Sequence, residues 1–185
     1  MKFTNVIEYM KNQGGKFEAG LSEDEVKKAE IIYDIQFPPD FKEFLMIALP
    51  TSNGFYNWRD ISESNVLKIK DMFCFIEDGF FFDIEHNAFW LKEWGSKPQE
   101  LKEAFNVCKQ ELNRAPKMIP ICGHRFIPSS PHEVDNPVFS IYQTDIIYYG
   151  ENIIEYFKLE LGMKEYKELN FDRIKERDFW VNLQQ

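Results

Sequence analysis

Cysteine is scarce in this sequence and is not arranged as in a metal or redox site. The chain has three cysteines in 185 residues, Cys74, Cys108 and Cys122, and no two of them form a C-x-x-C pair. Three thiols cannot all pair in disulfides, and free cysteine is among the most buried residue types. We therefore expect three reduced thiols in the core and no structural metal.

Long apolar runs are also missing. The longest, such as residues 44–50 and 119–122, fall far short of the roughly 20 residues that cross a bilayer. The N-terminus lacks the apolar core of a signal peptide, because Glu8 and Lys11 interrupt it. These absences predict a cytoplasmic protein that does not bind membranes.

The common motifs of catalysis and nucleotide binding are absent. The sequence has no Gly-rich phosphate loop, no dinucleotide fingerprint and no G-x-S-x-G. Asp83, Glu85 and His86 are the one group with acid, base or metal-ligand chemistry, but no H-E-x-x-H or similar second element accompanies them. His124 and His132 are isolated and are interpreted as structural or surface histidines. We predict a protein that is not an enzyme and that needs no cofactor.

Basic residues are outnumbered by acidic ones, 22 to 31, which gives a net charge of −9. A field of this sign disfavours direct nucleic-acid binding and attracts basic partners. The excess either serves solubility alone or forms an acidic face that docks a basic protein. The chain is 44% hydrophobic with 18 phenylalanines, so we expect a single domain with an aromatic core.

Helix signals dominate the first part of the chain. Ser22 and Glu25 form an S-x-x-E capping box, with Leu21 and Val26 at the two positions of a hydrophobic staple. Pro38 and Pro39 then open a helix that we expect to end at Pro50 and Asn53-Gly54. Its residues at helical spacing predict one buried stripe: Phe41, Phe44, Leu45, Ala48 and Leu49.

Strand signals begin near residue 80. Asp78-Gly79 is typical of a turn, and residues 80–85 alternate, so Asp83 and Glu85 should share one face of a strand. A helix over 98–113 follows, with Ser96 and Gln99 as a capping pair.

The remaining elements predicted from the sequence are strands at 118–121 and 124–127, a hairpin of 138–142 and 145–149, a helix at 151–161 and a short helix in the tail. This order favours an α+β fold, because it lacks regular βα alternation. We expect a mostly antiparallel or mixed sheet with the hairpin at its centre. Helices should pack on one side of the sheet and leave the other face partly open.

Several segments, in this order, resemble the SUKH superfamily, which includes fungal cell-wall-assembly and glucan-synthesis regulators and many bacterial toxin-immunity proteins. The segments are FPPDFKEFL with an Asn-Gly loop, WRD, GFFFDIEHNAFW, KEWG, KMIPICGHRFIP, NPVFSIYQTDIIYYG and ENIIEYF. The resemblance implies one α+β domain over 1–185, with a core at about 21–161 and a C-terminal extension, 163–185, packed on it. It also implies protein binding rather than catalysis. The segment 123–137 and the extension look longer than the minimal domain requires.

The leading hypothesis is an immunity protein that neutralises a cognate toxin, such as a basic nuclease, by stoichiometric binding. A regulatory or scaffold protein of cell-wall synthesis is the alternative, and a small metal-dependent hydrolase using Asp83, Glu85 and a histidine is a third. Trp and Arg are frequent binding hot spots, although core packing also explains tryptophans. The candidate partner-binding residues are Trp58, Arg59, Asp60, Asp83, Glu85, Trp90 and Trp94.

Overall fold

A computed structural model describes residues 2–52, 54–175 and 178–181 of the chain. The α-helices in this part are α1 (Thr4–Asn12), α2 (Glu23–Tyr33), α3 (Pro39–Ile47), α4 (Glu63–His86), α5 (Leu101–Leu112), α6 (Ile153–Glu160) and α7 (Asp178–Val181). The strands are β1 (Phe17–Ala19), β2 (Ala48–Pro50), β3 (Met118–Cys122), β4 (Arg125–Pro128), β5 (Val138–Tyr142) and β6 (Asp145–Gly150).

The strands form two antiparallel sheets. β1 pairs with β2, and the other four strands form a meander in the order β3-β4-β5-β6. These sheets and the surrounding helices confirm the predicted α+β class. The predicted hairpin is β5 and β6, with Tyr142 opposite Asp145. It lies at one side of the sheet rather than at its centre, because β6 is an edge strand.

Helices pack on both faces of the four-stranded sheet, so the expected one-sided packing is wrong. One face places Phe126, Phe139 and Ile146 against α4 and α5. The opposite face places Ile127 and Val138 in a second apolar cluster with side chains of α1, α3 and α6. Strands that are buried on both faces carry nearly continuous apolar runs, as in MIPIC of β3.

The capping box at the start of α2 is confirmed. The Ser22 hydroxyl accepts a hydrogen bond from the Glu25 backbone N–H at 3.2 Å, and the Glu25 carboxylate accepts one from the Ser22 N–H at 2.8 Å. The proline-led helix α3 is present but ends at Ile47. Its last two predicted stripe residues are buried in β2 instead, because that segment pairs with β1. Asn53 lies outside the described residues.

The predicted strand at 80–85 is wrong, because these residues form the last two turns of the 24-residue helix α4. The buried positions of this helix, Ile69, Ile76, Phe80, Asp83 and Ile84, have helical spacing. Gly79 does not form a turn. A Cβ at this position would lie 2.7 Å from the Gln143 Cα, so the glycine lets the helix approach the hairpin closely.

Helix α5 begins at Leu101, with Glu100 as its N-cap and no side-chain cap, so the predicted Ser96 and Gln99 capping pair is wrong. The helix predicted at 151–161 is confirmed as α6, which the Asn152 side chain caps by accepting from the Ile154 and Glu155 N–H groups.

The three thiols are free, but only one of them is a fully buried core residue. Burial raises the pKa of Cys108 to about 12 and that of Cys122, which is half-buried, to about 11. Cys74 is exposed on α4, which corrects the expectation that all three lie in the core. The apolar run around Cys74 is helical, so it presents one side to solvent.

The C-terminal segment packs across one end of the sheet. Ile174 and Trp180 are buried, and the Trp180 indole donates to the Pro116 carbonyl at 3.2 Å. At the start of this segment Lys164 donates to the Glu151 carboxylate at 2.7 Å. The predicted tail helix is α7, and residues 182–185 lie outside the described part. No helix in the described part is long and apolar enough to cross a membrane.

Candidate functional site

Helix α4 separates the seven predicted contact residues into two groups. Trp58, Arg59 and Asp60 precede its first residue, whereas the other four lie at or beyond its last turn. At 1.5 Å of rise per residue, the two ends of this helix are roughly 35 Å apart. The seven residues therefore do not form one site.

Trp58 belongs to the core. Its side chain is 2% exposed, and its ring packs edge to face on Tyr33 and Phe37 at centroid distances of 5.3 and 5.0 Å. Core packing, the alternative to a partner contact for this tryptophan, is what the structure shows. Trp58 presents no surface to a partner.

Arg59 connects three segments of the chain. Its guanidinium donates to the Glu25 carboxylate at 2.7 Å, to the Glu18 carboxylate at 2.8 Å and to the carbonyls of Ala19 and Gly20 at 2.9 and 3.0 Å. The hydrogen bond from Arg59 is the largest cause that lowers the pKa of Glu25 to about 2. Since its donors are engaged within the chain, Arg59 acts as a structural connection in this conformation.

Asp60 organises the start of α4. Its carboxylate accepts a hydrogen bond from the Ser62 N–H at 2.8 Å, and its carbonyl accepts one from the Asn65 side chain at 2.7 Å. The bond from Ser62 also lowers the pKa of Asp60. Ser62 is in turn the N-cap of the helix, so Asp60 supports the turn that leads into it.

Asp83 joins the end of α4 to the turn of the β5–β6 hairpin. Its side chain is 4% exposed and accepts three hydrogen bonds, from the Thr144 hydroxyl at 2.6 Å, the Thr144 N–H at 3.0 Å and the Asn87 amide at 2.5 Å. Burial acts to raise the pKa of Asp83, but these three hydrogen bonds outweigh it and lower the pKa. The carboxylate therefore stays ionised.

Glu85 does not share a face with Asp83, as the predicted strand required. Two residues apart on an α-helix, the side chains diverge by roughly 200°. Asp83 is buried against the hairpin turn, whereas Glu85 is exposed and lies beside His86, 3.7 Å away. The structure does not bring the two carboxylates and a histidine together.

Trp90 and Trp94 belong to an aromatic cluster beyond the end of α4. The two indoles pack edge to face at 5.3 Å, and Phe89 packs against both Phe80 and Trp94. The Trp90 indole N–H donates to the Gly95 carbonyl at 2.8 Å. Both tryptophans are half-buried, so part of each side chain is accessible to solvent.

A concave surface, which we name the hairpin cleft, lies between the end of α4 and the β5–β6 turn. It has a volume of about 630 Å³ and is lined by Asp83, Asn87, Ala88, Phe89, Trp90, Tyr142, Gln143, Thr144 and Asp145. Two carboxylates are in this lining, and its described residues include no lysine, arginine or histidine. The cleft thus combines aromatic rings with negative charge.

Sequence reasoning identified Asp83 and Trp90 of this cleft but missed Tyr142, Thr144 and Asp145. The position of Tyr142 directly before the predicted two-residue turn is the local signal that could have found it, because residues at a hairpin end are often exposed, and Tyr142 is 59% exposed. The contact of Thr144 with Asp83 spans 61 residues and has no local signal.

The isolated histidines lie elsewhere. His132 Nε2 is 3.1 Å from the Phe37 carbonyl, and His124 contacts the Arg125 guanidinium. Within the described ranges there is no group of three or more His, Cys, Asp or Glu side chains that could hold a metal ion.

A second cavity, of about 380 Å³, lies between α4, α5 and the C-terminal segment. Phe73, Ile76 and Trp180 form its apolar walls, and Lys117 lies at its rim. The Lys117 ammonium is already engaged, since it donates to the carbonyls of Tyr33 and Asp34 at 2.9 Å. The hairpin cleft is therefore the stronger candidate for a charged ligand.

Comparisons of the chain with protein-family models, with curated proteins and with solved structures found no match.

Proposed function

We propose that this chain is a non-catalytic protein-binding module that binds its partner through the hairpin cleft. In its most concrete form it is a cytoplasmic immunity protein that neutralises a basic toxin by stoichiometric binding. Membership of the SUKH superfamily is part of this proposal, and it rests on the motifs in the sequence.

The observation that carries the proposal is an accessible aromatic surface on a rigid support. Tyr142 is 59% exposed at the end of β5, and Trp90 is held by a hydrogen bond and an edge-to-face contact. Phe82, 46% exposed, adds apolar surface on the last turns of α4. Large aromatic side chains that are already positioned lose little entropy on binding, so they make good anchors for a partner.

The state of the reactive side chains supports binding rather than catalysis. Burial raises the pKa values of Cys108 and Cys122, which makes both of them poor nucleophiles at neutral pH. The Asp83 carboxylate is committed to three internal hydrogen bonds with a lowered pKa, whereas a general acid or base works best with a pKa near the working pH. The negative charge of the cleft and of the whole chain favours a basic partner.

Co-expression with the protein that is encoded directly upstream of this gene tests the proposal. We expect that protein to arrest growth and this chain to restore it. Tyr142→Ala should weaken the rescue, because it removes an exposed anchor without creating a core cavity. Leu67→Ala is the matched control, since Leu67 is 53% exposed on the first half of α4.

Calorimetric titration of the two purified proteins then measures binding directly. We expect a 1:1 complex that Tyr142→Ala weakens by about tenfold or more and that Leu67→Ala leaves unchanged. A non-toxic neighbour that does not bind would overturn the immunity proposal. Equal effects of the two variants would remove the hairpin cleft from the interface.

A further inference from the structure

We infer that the hairpin cleft receives an arginine side chain of the partner protein, with the guanidinium against Trp90 and Tyr142 and beside Asp145. The inference deepens the proposed function and rests on it, because it assumes a basic protein partner. The proposed ligand group of the cleft is a guanidinium.

The first argument is a buried negative charge. Asp83 is ionised and 4% exposed, and all three hydrogen bonds that it accepts come from neutral groups. Neutral donors stabilise a carboxylate but leave its net charge in place. Because the side chain lines the cleft, this charge acts on whatever enters it.

Two neighbouring features add to the negative potential. Helix α4 ends at His86, so the negative end of the dipole of a 24-residue helix lies at the cleft. Lys97 offsets part of that dipole by donating to the Ile84 carbonyl at 2.7 Å. Asp145 is exposed in the cleft lining, and no ion pair of this residue is found in the described part of the chain. A cation in the cleft would therefore be near two carboxylates, the exposed one of Asp145 and the buried one of Asp83.

The aromatic lining favours arginine over other cations. Trp90 and Tyr142 line the cleft from two different segments. Trp90 is fixed by its bond to Gly95, and the Tyr142 ring lies 6.2 Å from that of Phe75 on α4. A guanidinium is planar, stacks on aromatic faces and gives up its hydration more readily than an ammonium. A calcium ion would need 6–8 oxygen ligands, whereas three of the acceptor positions on Asp83 are already occupied.

A nitrogen-15 NMR titration of the full chain tests the inference. The probes are N-acetyl-arginine amide, N-acetyl-lysine amide, the neutral citrulline analogue and calcium chloride, each at constant ionic strength. We expect the arginine probe to shift the amide signals of Thr144 and Asp145 and the indole signal of Trp90 in a saturable way. The lysine probe should bind more weakly, and the citrulline analogue should cause no saturable shift.

Two variants with the same change of charge localise the effect. Asp145→Asn should weaken arginine binding by about threefold or more, since it removes the accessible carboxylate. Glu8→Gln, at an exposed position on α1, should leave the dissociation constant unchanged. Tyr142→Ala should weaken binding by a similar factor, because it removes one aromatic wall.

Several results would overturn the inference. They are arginine shifts spread over the acidic surface, equal binding of arginine and lysine probes, an equal effect of Glu8→Gln and Asp145→Asn, or calcium binding tighter than arginine. If the arginine probe fails while Tyr142→Ala still weakens the rescue, the arginine inference fails and the proposed function stands. If the probe binds in the cleft but no toxin partner binds the chain, the proposed function fails instead.

Discussion

The two ends of α4 carry similar residue types in different arrangements. At the N-terminal end, Trp58 is inside the core and the charge of Arg59 is balanced by two carboxylates of the same chain. At the C-terminal end, Trp90 is half-buried and the charge of Asp83 is held by neutral donors alone. The first end is closed by its own contacts, and the second faces an open cleft.

This difference shows that an aromatic residue beside a charge is not enough to predict a binding surface. What separates the two ends is whether the charge has a counter-ion within the chain and whether the ring has a free face. The first condition depends on Glu18 and Glu25, which lie more than 30 positions away in sequence. Variants at Trp58, Asp83 and Glu25 test this difference between the two ends of α4.

The largest expected effect is the loss of a core ring. Trp58→Ala should lower the free energy of unfolding by about 3–5 kcal/mol, because it leaves a large cavity between Tyr33 and Phe37. Trp90→Ala should cost about 1–2 kcal/mol, since that ring is half-buried. Urea denaturation measures both values. Equal losses would show that the two tryptophans have the same structural role.

An intermediate effect is expected at Asp83. Asp83→Ala should destabilise the protein by about 1–3 kcal/mol at pH 7, because Thr144 and Asn87 lose their shared acceptor. The folded-state pKa of Asp83 is lowered, so its contribution is present above the ordinary carboxyl pKa of about 4 and is lost as the pH falls through the folded-state value.

Denaturation curves of wild type and Asp83→Ala, compared at pH 7 and at successively lower pH, should therefore converge only as the pH falls through the folded-state pKa of Asp83. Glu85→Ala is the control, and its change should stay within about 0.5 kcal/mol because the side chain is exposed. An Asp83→Ala protein with the same free energy of unfolding as wild type at pH 7 would contradict the role of Asp83 in connecting α4 to the hairpin.

The smallest effect is expected at the Arg59 connection. Glu25→Gln should cost about 1 kcal/mol at pH 7, as for a partly exposed ion pair. The Arg59 hydrogen bond lowers the pKa of Glu25 to about 2. The stabilisation is therefore present above the ordinary value near 4 and is lost as the pH falls towards 2. Chemical denaturation between pH 7 and pH 2 follows this loss.

Glu23→Gln provides the control for that experiment, because Glu23 lies on the same helix and pairs with the exposed Lys42 ammonium. The loss of stability at pH 7 should be smaller for Glu23→Gln than for Glu25→Gln. Glu23 contacts the Lys42 ammonium, whereas Glu25 contacts Arg59, which connects three segments of the chain. A larger effect at Glu23 would mean that Arg59 does not stabilise the fold.

Local signals in the sequence predicted the elements that local contacts build. The capping box of α2 depends on residues three positions apart, and the β5–β6 hairpin depends on β-branched and aromatic runs around a two-residue turn. The same reasoning failed at 80–85, because three phenylalanines before Asp83 fit both a strand and a helix buried along one side. The pair Asp78-Gly79 is typical of a turn, and nothing local in the sequence indicates that Gly79 packs on Gln143.

The candidate site was predictable only in part, because it also depends on contacts between segments that are distant in sequence. Trp90 and Asp83 stand out as residue types, but their relation to Tyr142 and Asp145 depends on how α4 crosses the sheet. The expected one-sided helix packing failed because alternation does not tell which apolar surface covers the second face of a strand.

Composition, periodicity and contacts within a few residues were enough to predict the α+β class, the acidic balance, the capping box of α2 and the strands of the meander. Local signals did not show that α4 continues through residue 86, that Glu18 and Glu25 neutralise Arg59, or that Asp83 lines a cleft with Tyr142 and Asp145. The physical reason is that burial and the pairing of charges arise from contacts between distant segments.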